Sequence, residues 1–177
     1  MRVTTEARNR QRAYSGVVND PAVDAQDVQL VLDFINTVDA ETGVDVLDEE
    51  SRWAAWLAER RFGHEVAARD ARPFRDGLRY AVGDEHATAV AAGMAVRMDL
   101  SKGAPRLVGE DVLAAVLAAG YRLAVLGEWS RIKICPAHDC RWAFFDRSRN
   151  RSRTWCSMQV CGNREKARTW RERTRVR

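Results

Sequence analysis

Residues 135–161 read CPAHDC-RWAFFDRSRNRSRTW-CSMQVC, which is two Cys-x4-Cys pairs separated by fifteen residues. The chain has 177 residues, and its four cysteines all fall in this stretch. Four thiolates at the corners of a tetrahedron make a closed, non-catalytic Zn²⁺ site, and two short pairs that converge from separate turns supply such a set. The spacing therefore predicts one structural zinc ion bound by Cys135, Cys140, Cys156 and Cys161.

Two alternatives to this ligand set stay open at the level of sequence. His138 lies inside the first pair and could replace a cysteine, although a surface position is the simpler interpretation. Four thiols among many arginines could also form a redox switch that releases the metal on oxidation. A module this small has little core of its own. Metal binding would therefore supply much of its folding free energy, on the order of 10–16 kcal/mol.

The residues between and after the cysteine pairs predict a hairpin followed by a helix. Residues 142–145 favour a strand, residues 146–150 supply turn chemistry, and residues 154–155 return toward the second pair. The basic stretch 162–177 predicts a helix that begins beside the last ligand. This order is typical of a treble-clef-like zinc finger.

The tryptophans and the first residues of that helix each allow two interpretations. Trp142, Trp155 and Trp170 could stack on single-stranded bases. The favoured interpretation places Trp142 and Trp155 in the small core of the finger and Trp170 against the N-terminal part. Asn163 could bond adenine, but bracing the zinc loop is favoured, and Gly162 is expected to permit close backbone packing beside the metal.

Charge is distributed unevenly along the chain. Residues 1–128 hold 15 Lys and Arg against 21 Asp and Glu, a net charge of −6, whereas residues 129–177 hold 14 against 4, a net charge of +10. This asymmetry predicts polyanion binding, since arginine forks match phosphate oxygens and guanine edges. Double-stranded DNA is the favoured partner and RNA the alternative. The predicted nucleic-acid-binding residues are Arg141, Arg147, Arg149, Arg151, Arg153, Arg164, Lys166, Arg168, Arg171 and Arg175, with 164, 168, 171 and 175 on one helix face.

The N-terminal 128 residues predict a mostly helical domain behind a flexible polar arm, residues 1–22. Residues 94–100 and 106–108 predict a short hairpin. The expected fold class is α+β, mostly helical, with a domain over 23–128 followed by the finger over 129–177. Apolar spacing and capping residues predict helices from Asp24, from Asp48 to Phe62, from Pro73 to Gly83, from Asp84 to about Gly93, and from Glu110 to Glu128.

The N-terminal domain contains no Gly-rich phosphate loop, nucleophile motif or histidine cluster, so an enzyme is not expected. Asp33, Asn36 and Thr37 are polar groups in an apolar helix. Bracing the helix end is favoured, and lining a pocket for a small-molecule effector is the alternative. A homodimer is compatible with a regulator that reads paired half-sites. No apolar run approaches the roughly 18 residues of a membrane span and no signal-peptide pattern occurs, so we expect a cytoplasmic protein with no membrane partner.

The run Cys161-Gly162-Asn163-Arg164, with DRSRN at 146–150 and WCS at 155–157, resembles the bacterial CGNR zinc finger family. In that family an N-terminal domain called ABATE precedes the finger and carries an L-x-x-D-F-x-N-T segment. A similar segment begins here at Leu30. The resemblance implies a stress-induced transcription regulator with a zinc-dependent, DNA-binding finger and a ligand-sensing or associating N-terminal domain.

Overall fold

A computed structural model of the chain describes residues 24–63, 66–90, 95–101 and 103–175. The predicted N-terminal arm lies outside the described residues. The fold is mostly helical with three two-stranded antiparallel sheets. In chain order the elements are α1 (Ala25–Ile35), β1 (Val38–Asp39), β2 (Val44–Asp45), α2 (Glu50–Glu59), α3 (Ala68–Ala81), β3 (Arg97–Asp99), β4 (Arg106–Val108), α4 (Val112–Val125), β5 (Ile132–Ile134), β6 (Ala143–Phe145) and α5 (Asn163–Arg175).

Helices α1 and α4 each begin after an aspartate cap, at Asp24 as predicted and at Asp111, one residue after the predicted start. The Asp24 carboxylate accepts a hydrogen bond from the Gln26 amide at the start of α1. The Asp111 carboxylate accepts one from the Ala114 amide at the start of α4. Each cap satisfies an amide that has no partner within its helix. The predicted hairpin is also present, with Met98 opposite Leu107.

Other boundaries of the N-terminal helices differ from the prediction. Asp48 does not cap α2, because it lies in a 3-10 turn whose start is capped by Asp45. Helix α3 begins at Ala68, so Pro73 sits in its second turn rather than its first and leaves the Arg69 carbonyl without its helical partner. The predicted helix from Asp84 is wrong over 84–90, where the backbone forms turns and extended chain.

The core is built where α1, α2 and α4 meet. Trp53 stacks on Trp56 with ring centroids 5.0 Å apart, and Phe34 meets both rings at 6.2 Å. The Trp53 indole Nε1 donates to the Val66 carbonyl at 2.7 Å, so its polar atom is satisfied inside the core. Both tryptophans are buried core residues, and truncating such a residue costs about 3–5 kcal/mol.

The core continues across the predicted domain boundary at residue 128. Ile132 on β5 and Ala143 on β6 are buried in the same apolar cluster as the residues of α1 and α4. The strand pair β5–β6 places Ile134 opposite Ala143 and therefore roots the cysteine-rich segment in the helical domain. The base of the finger is thus anchored in the core of the helical domain, while its cysteines pack in a second cluster with Ala137 and Phe144.

Candidate metal centre and the surface of the finger

The β5–β6 hairpin brings the first two cysteines together. Cys135 follows β5 directly, and its amide donates to the Trp142 carbonyl at 2.9 Å. The Cys140 amide donates to the Ala137 carbonyl at 2.9 Å, which closes the turn between the two ligands. The loop at the tip of a short hairpin therefore fixes both sulfurs with local backbone bonds.

The second pair is arranged by the start of the last helix. Ser157 caps a wide helical turn, Met158–Gly162, and its Oγ accepts from the Val160 amide at 3.2 Å. This turn carries Cys161 back toward Cys156 and continues directly into α5. The last ligand thus stands at the beginning of the basic helix, as predicted.

The four sulfurs form one compact cluster. All four Sγ atoms lie within 4.8 Å of one another, with Cys140 to Cys156 at 3.4 Å and Cys156 to Cys161 at 3.5 Å. No disulfide joins them. A Zn–S distance of about 2.3 Å places the corners of a tetrahedron about 3.8 Å apart, so the sulfurs fit one zinc ion. Three of the four are buried, and together they form a site for one structural Zn²⁺.

His138 is not among the cluster's ligands. Its ring is exposed, and Nδ1 lies 2.8 Å from the Asp139 carboxylate. The cluster that could hold a metal consists of the four cysteines. The surface interpretation of His138 therefore agrees with the structure.

The four cysteine sulfurs need a nearby cation if they are all to be ionised at once. Burial raises the pKa of the Cys140 thiol to about 11. Burial also raises the pKa of Cys135, but backbone amides of Cys156 and Ala137 that donate to its sulfur outweigh this effect and bring its pKa below the usual value. Four thiolates this close repel one another, and Zn²⁺ supplies the positive charge that holds them ionised together.

The segment between the pairs is not the predicted hairpin. Strand β6 pairs with β5, and residues 154–155 form no strand with it. A buried carboxylate organises the loop instead: Asp146 accepts from the Lys133 Nζ at 2.7 Å, the Ser148 amide at 2.8 Å and the Arg153 amide at 2.9 Å. Burial raises the pKa of Asp146, but these donors outweigh it and hold the pKa far below its usual range. The sequence predicts only a turn here. The local signal for the Asx turn is the aspartate itself, whose side chain can accept from the backbone amide two residues further on.

Three of the predicted nucleic-acid-binding arginines in the finger make internal contacts. Arg141 forms a bidentate pair with the Asp84 carboxylate, at 3.0 Å to each oxygen. Arg151 pairs with Glu128 at 3.2 Å. Arg153 donates to the carbonyl of Trp155 at 2.9 Å and also to that of Cys156. These side chains stabilise the loop and its junction with the helical domain.

The arginines of α5 divide into paired and unpaired groups. Arg164 forms an ion pair with Glu41 at 2.8 Å. Arg168 pairs with Glu165 at 2.7 Å and with Glu172 at 2.8 Å. Several exposed cations of the finger form no ion pair with any residue in 24–63, 66–90, 95–101 or 103–175. They are Arg147, Arg149, Lys166, Arg171, Arg173 and Arg175. The free positive surface is thus the loop tip, together with cations on two different sides of α5: Lys166 and Arg173 on one, Arg171 and Arg175 on the other.

The prediction for Trp170 is wrong, whereas those for Gly162 and Asn163 agree with the structure. Trp170 is 67% exposed and does not dock against the N-terminal domain. A Cβ on Gly162 would lie 2.5 Å from the Met158 sulfur and 3.2 Å from the Trp155 ring, so glycine lets the turn pack closely against both side chains. The Asn163 side-chain amide donates to the Gln159 carbonyl at 3.0 Å and braces the turn. Trp142 is also outside the finger's core, at 40% exposed.

The polar residues of α1 act as braces. The side chain of Asn36 donates to the Ala143 carbonyl at 2.9 Å and accepts from the Ala143 amide at 2.8 Å. These are the two hydrogen bonds that the backbone of a neighbouring β-strand would make. Asp33 pairs with Arg60 at 2.9 Å. The Thr37 hydroxyl donates to the Phe34 carbonyl at 2.9 Å. Bracing, the favoured interpretation, therefore accounts for all three, and Asn36 joins α1 to the finger.

A buried ion network on α3 makes a second junction that sequence reasoning missed. Arg79 pairs with Asp84 at 2.7 Å and donates through Nη2 to the Arg141 carbonyl at 2.8 Å. Burial raises the pKa of Asp84, but the Arg141 and Arg79 guanidinium groups outweigh it and lower the pKa below its usual value. The network ties α3 to the residue directly after Cys140.

Residues 131–174 match the model of the CGNR zinc finger family. The matched segment covers β5, β6, all four cysteines and nearly all of α5. A comparison with curated proteins gives no significant match. In the part of the chain that the structure describes, no helix is long and apolar enough to cross a membrane.

Proposed function

We propose that the protein is a zinc-dependent nucleic-acid-binding regulator whose finger, of treble-clef type, contacts double-stranded DNA. The observation that carries the proposal is the set of exposed, unpaired cations at the loop tip and on α5, immediately outside a closed four-cysteine site. Zinc bound by the four cysteines would join the hairpin to the start of α5 and so link the two segments that carry these cations. The proposal gives the chain no catalytic role.

Phosphate contacts would supply most of the affinity. Arg147 and Arg149 project from a loop that Asp146 holds in place, and Lys166, Arg171 and Arg175 follow on α5. Each phosphate that a cation neutralises adds about 0.9 to the slope of log affinity against log salt for duplex DNA. Five such contacts would give steep salt dependence.

The test is fluorescence anisotropy with a labelled duplex at several salt concentrations. We expect Arg147→Ala together with Arg149→Ala to weaken binding and reduce the salt slope by about 2. The matched control is Arg52→Ala with Arg69→Ala, which removes the same charge from exposed sites of the N-terminal domain. Equal effects of the two double variants, or no binding at low salt, would overturn the proposal. Competition with structured RNA decides whether RNA is the better partner.

The alternative of redox sensing requires that oxidation release the metal. Three of the four sulfurs are buried, which restricts access of peroxide to the thiolates. Zinc release under mild peroxide, followed with a chromogenic chelator and accompanied by loss of DNA binding, would favour this second function. Retention of both metal and DNA binding would exclude it.

A groove in the N-terminal domain favours an effector-sensing role. It has a volume of about 440 Å³, and Met98, Tyr121 and Val125 supply apolar walls beside the Asp27–Arg122 ion pair. Cavities of this size with few polar groups commonly hold small molecules. We propose a small amphipathic molecule as the occupant.

Anilinonaphthalene sulfonate is a suitable probe for this groove. We expect the folded protein to bind it with enhanced fluorescence, and Val125→Glu to abolish the enhancement while Val44→Glu, at another exposed valine, does not. No enhancement would overturn the proposal. If the wild-type protein is a dimer and Val125→Glu converts it to a monomer, the groove binds a second copy of the chain instead.

A further inference from the structure

A groove on one side of α5 has walls of a different chemistry from the arginine surface. It encloses about 340 Å³ beside the zinc site, and its lining includes Trp155, Gly162, Lys166, Trp170 and Arg173. The lining residues of α5 lie at positions 165, 166, 169, 170 and 173, which share one helix face. The ion-paired Arg164 and Arg168 are not among the groove's lining residues. Aromatic and cationic groups are thus combined in one concave surface.

Two indoles, Trp155 and Trp170, line this groove. Trp170 is 67% exposed, although an indole can bury 150–250 Å² of surface. Trp155 is partly buried against the cysteine cluster and presents the remainder of its ring to the groove. In the described chain, ring-to-ring contacts are confined to Phe34, Trp53 and Trp56. Neither indole of the groove is therefore stacked on another aromatic ring of the described residues.

Trp155 packs closely against Gly162, which has no side chain. A Cβ there would lie 3.2 Å from the Trp155 ring and 2.5 Å from the Met158 sulfur. Since Gly162 follows the zinc ligand Cys161, the metal site and this wall of the groove are built by the same turn. The groove is consequently preformed wherever zinc is bound.

The cations of the groove are available to an anionic ligand. Within the described ranges, no ion pair involves Lys166 or Arg173. The one acidic lining residue, Glu165, is already paired with Arg168 at 2.7 Å. Charge complementarity therefore favours an anion with a planar aromatic part.

We propose that this groove binds one unpaired nucleobase of a nucleic-acid strand. The base stacks on Trp170 beside Trp155, and Lys166 and Arg173 contact the flanking phosphates. Aromatic side chains stack on any base, since every base has a π-face, whereas bases inside an intact duplex cover one another's faces. The inference rests on the proposed nucleic-acid binding and adds to it a preference for a strand with an exposed base.

The test compares two duplexes of equal length, one fully paired and one with a single unpaired thymine in its centre. We expect the protein to bind the bulged duplex about 5- to 100-fold more tightly, the range that stacking of one base on an aromatic side chain supports. The preference should vanish in Trp170→Ala and remain in part in Trp170→Phe. Trp142→Ala, which removes another exposed indole of the finger, is the matched control and should keep it.

Four results would overturn the inference. Equal affinity of the wild-type protein for the two duplexes, or a preference that survives Trp170→Ala, would refute base stacking while leaving the proposed function intact. Absence of binding to any nucleic acid at low salt would refute both. Competition by free thymidine monophosphate at concentrations near the strand's own Kd would assign the groove to a free nucleotide rather than to a strand.

Discussion

The two cysteine pairs bind the same metal but are supported differently. Cys135 and Cys140 lie at the tip of a hairpin whose strands are part of the main core, and Asn36 and Arg79 bond the backbone just after Cys140. Cys156 and Cys161 lie on an outer turn, and the α5 helix beyond them has no buried residue. The core holds the inner pair, whereas zinc holds the outer one. Metal binding should therefore stabilise the segment from Cys156 through α5 far more than the β5–β6 hairpin.

The largest effect should follow loss of the outer ligands. We expect Cys156→Ser with Cys161→Ser to abolish stoichiometric zinc binding and melt α5, because metal binding of this kind is worth on the order of 10–16 kcal/mol. The core around Trp53 should still unfold cooperatively. Zinc content, circular dichroism at 222 nm and a thermal melt followed by tryptophan emission are the measurements.

The matched variant for this experiment removes the inner ligands, Cys135→Ser with Cys140→Ser. It should also lose zinc, but hydrogen exchange should show β5 and β6 protected in both variants, because core packing and not metal fixes them. If hydrogen exchange after zinc loss is as fast in β5 as in α5, then the core does not hold the inner pair in place.

A smaller effect is expected at the buried network of α3. Arg79→Ala leaves Asp84 buried without one of its two guanidinium partners, and breaking such a pair costs about 3–5 kcal/mol. Urea unfolding followed by tryptophan emission measures the free energy of unfolding. Arg69→Ala, an exposed arginine at the start of the same helix, should change it little.

The same network gives stability a defined dependence on pH. The pKa of Asp84 is lower in the folded chain than its usual value, so its contribution is present above the unfolded pKa of about 3.9 and is lost as pH falls through the folded value. The difference in unfolding free energy between the wild type and Asp84→Asn should therefore shrink on acidification. A constant difference from neutral to acid pH would show that the carboxylate does not act through its charge.

The cysteine spacing predicted the metal site from sequence alone, yet the supports of that site could not be predicted. Arg79 and Asp84 look like solvated charges in the sequence, and only the packing of α3 beside the hairpin buries them. The partner of β6 could not be predicted either, because residues 132–134 and 154–155 both offer apolar or β-favouring side chains. Capping at Asp24 and Asp111 was predictable since a cap acts over three residues, whereas Asn36 bonds a residue 107 positions away.

An intermediate effect is expected where α1 meets the finger. Asn36→Ala removes both side-chain bonds and leaves the Ala143 amide and carbonyl without them, which should cost about 1–3 kcal/mol. Asn150→Ala, in the exposed loop, is the control. If the melting temperature falls equally in the two variants, Asn36 does not join α1 to the finger.

The smallest effect concerns the ion pair between Glu41 and Arg164. Both side chains are partly exposed, so Glu41→Ala should change stability by less than about 1 kcal/mol. If Arg164 also contacts DNA, removing its competitor should tighten binding slightly at low salt and not at high salt, where both interactions are screened. Anisotropy titrations at two salt concentrations detect this, and a weakening at low salt would contradict it.

The buried Asp146 carboxylate has a consequence for the thermodynamics of recognition. Because it orders the 146–154 loop in advance, Arg147 and Arg149 meet a ligand without first losing backbone freedom, a loss of about 1–2 kcal/mol for each residue. Association should then show only a modest heat-capacity change and little gain of secondary structure, unlike the coupled folding of a disordered basic tail. Calorimetry should therefore show the loop binding DNA as a rigid body.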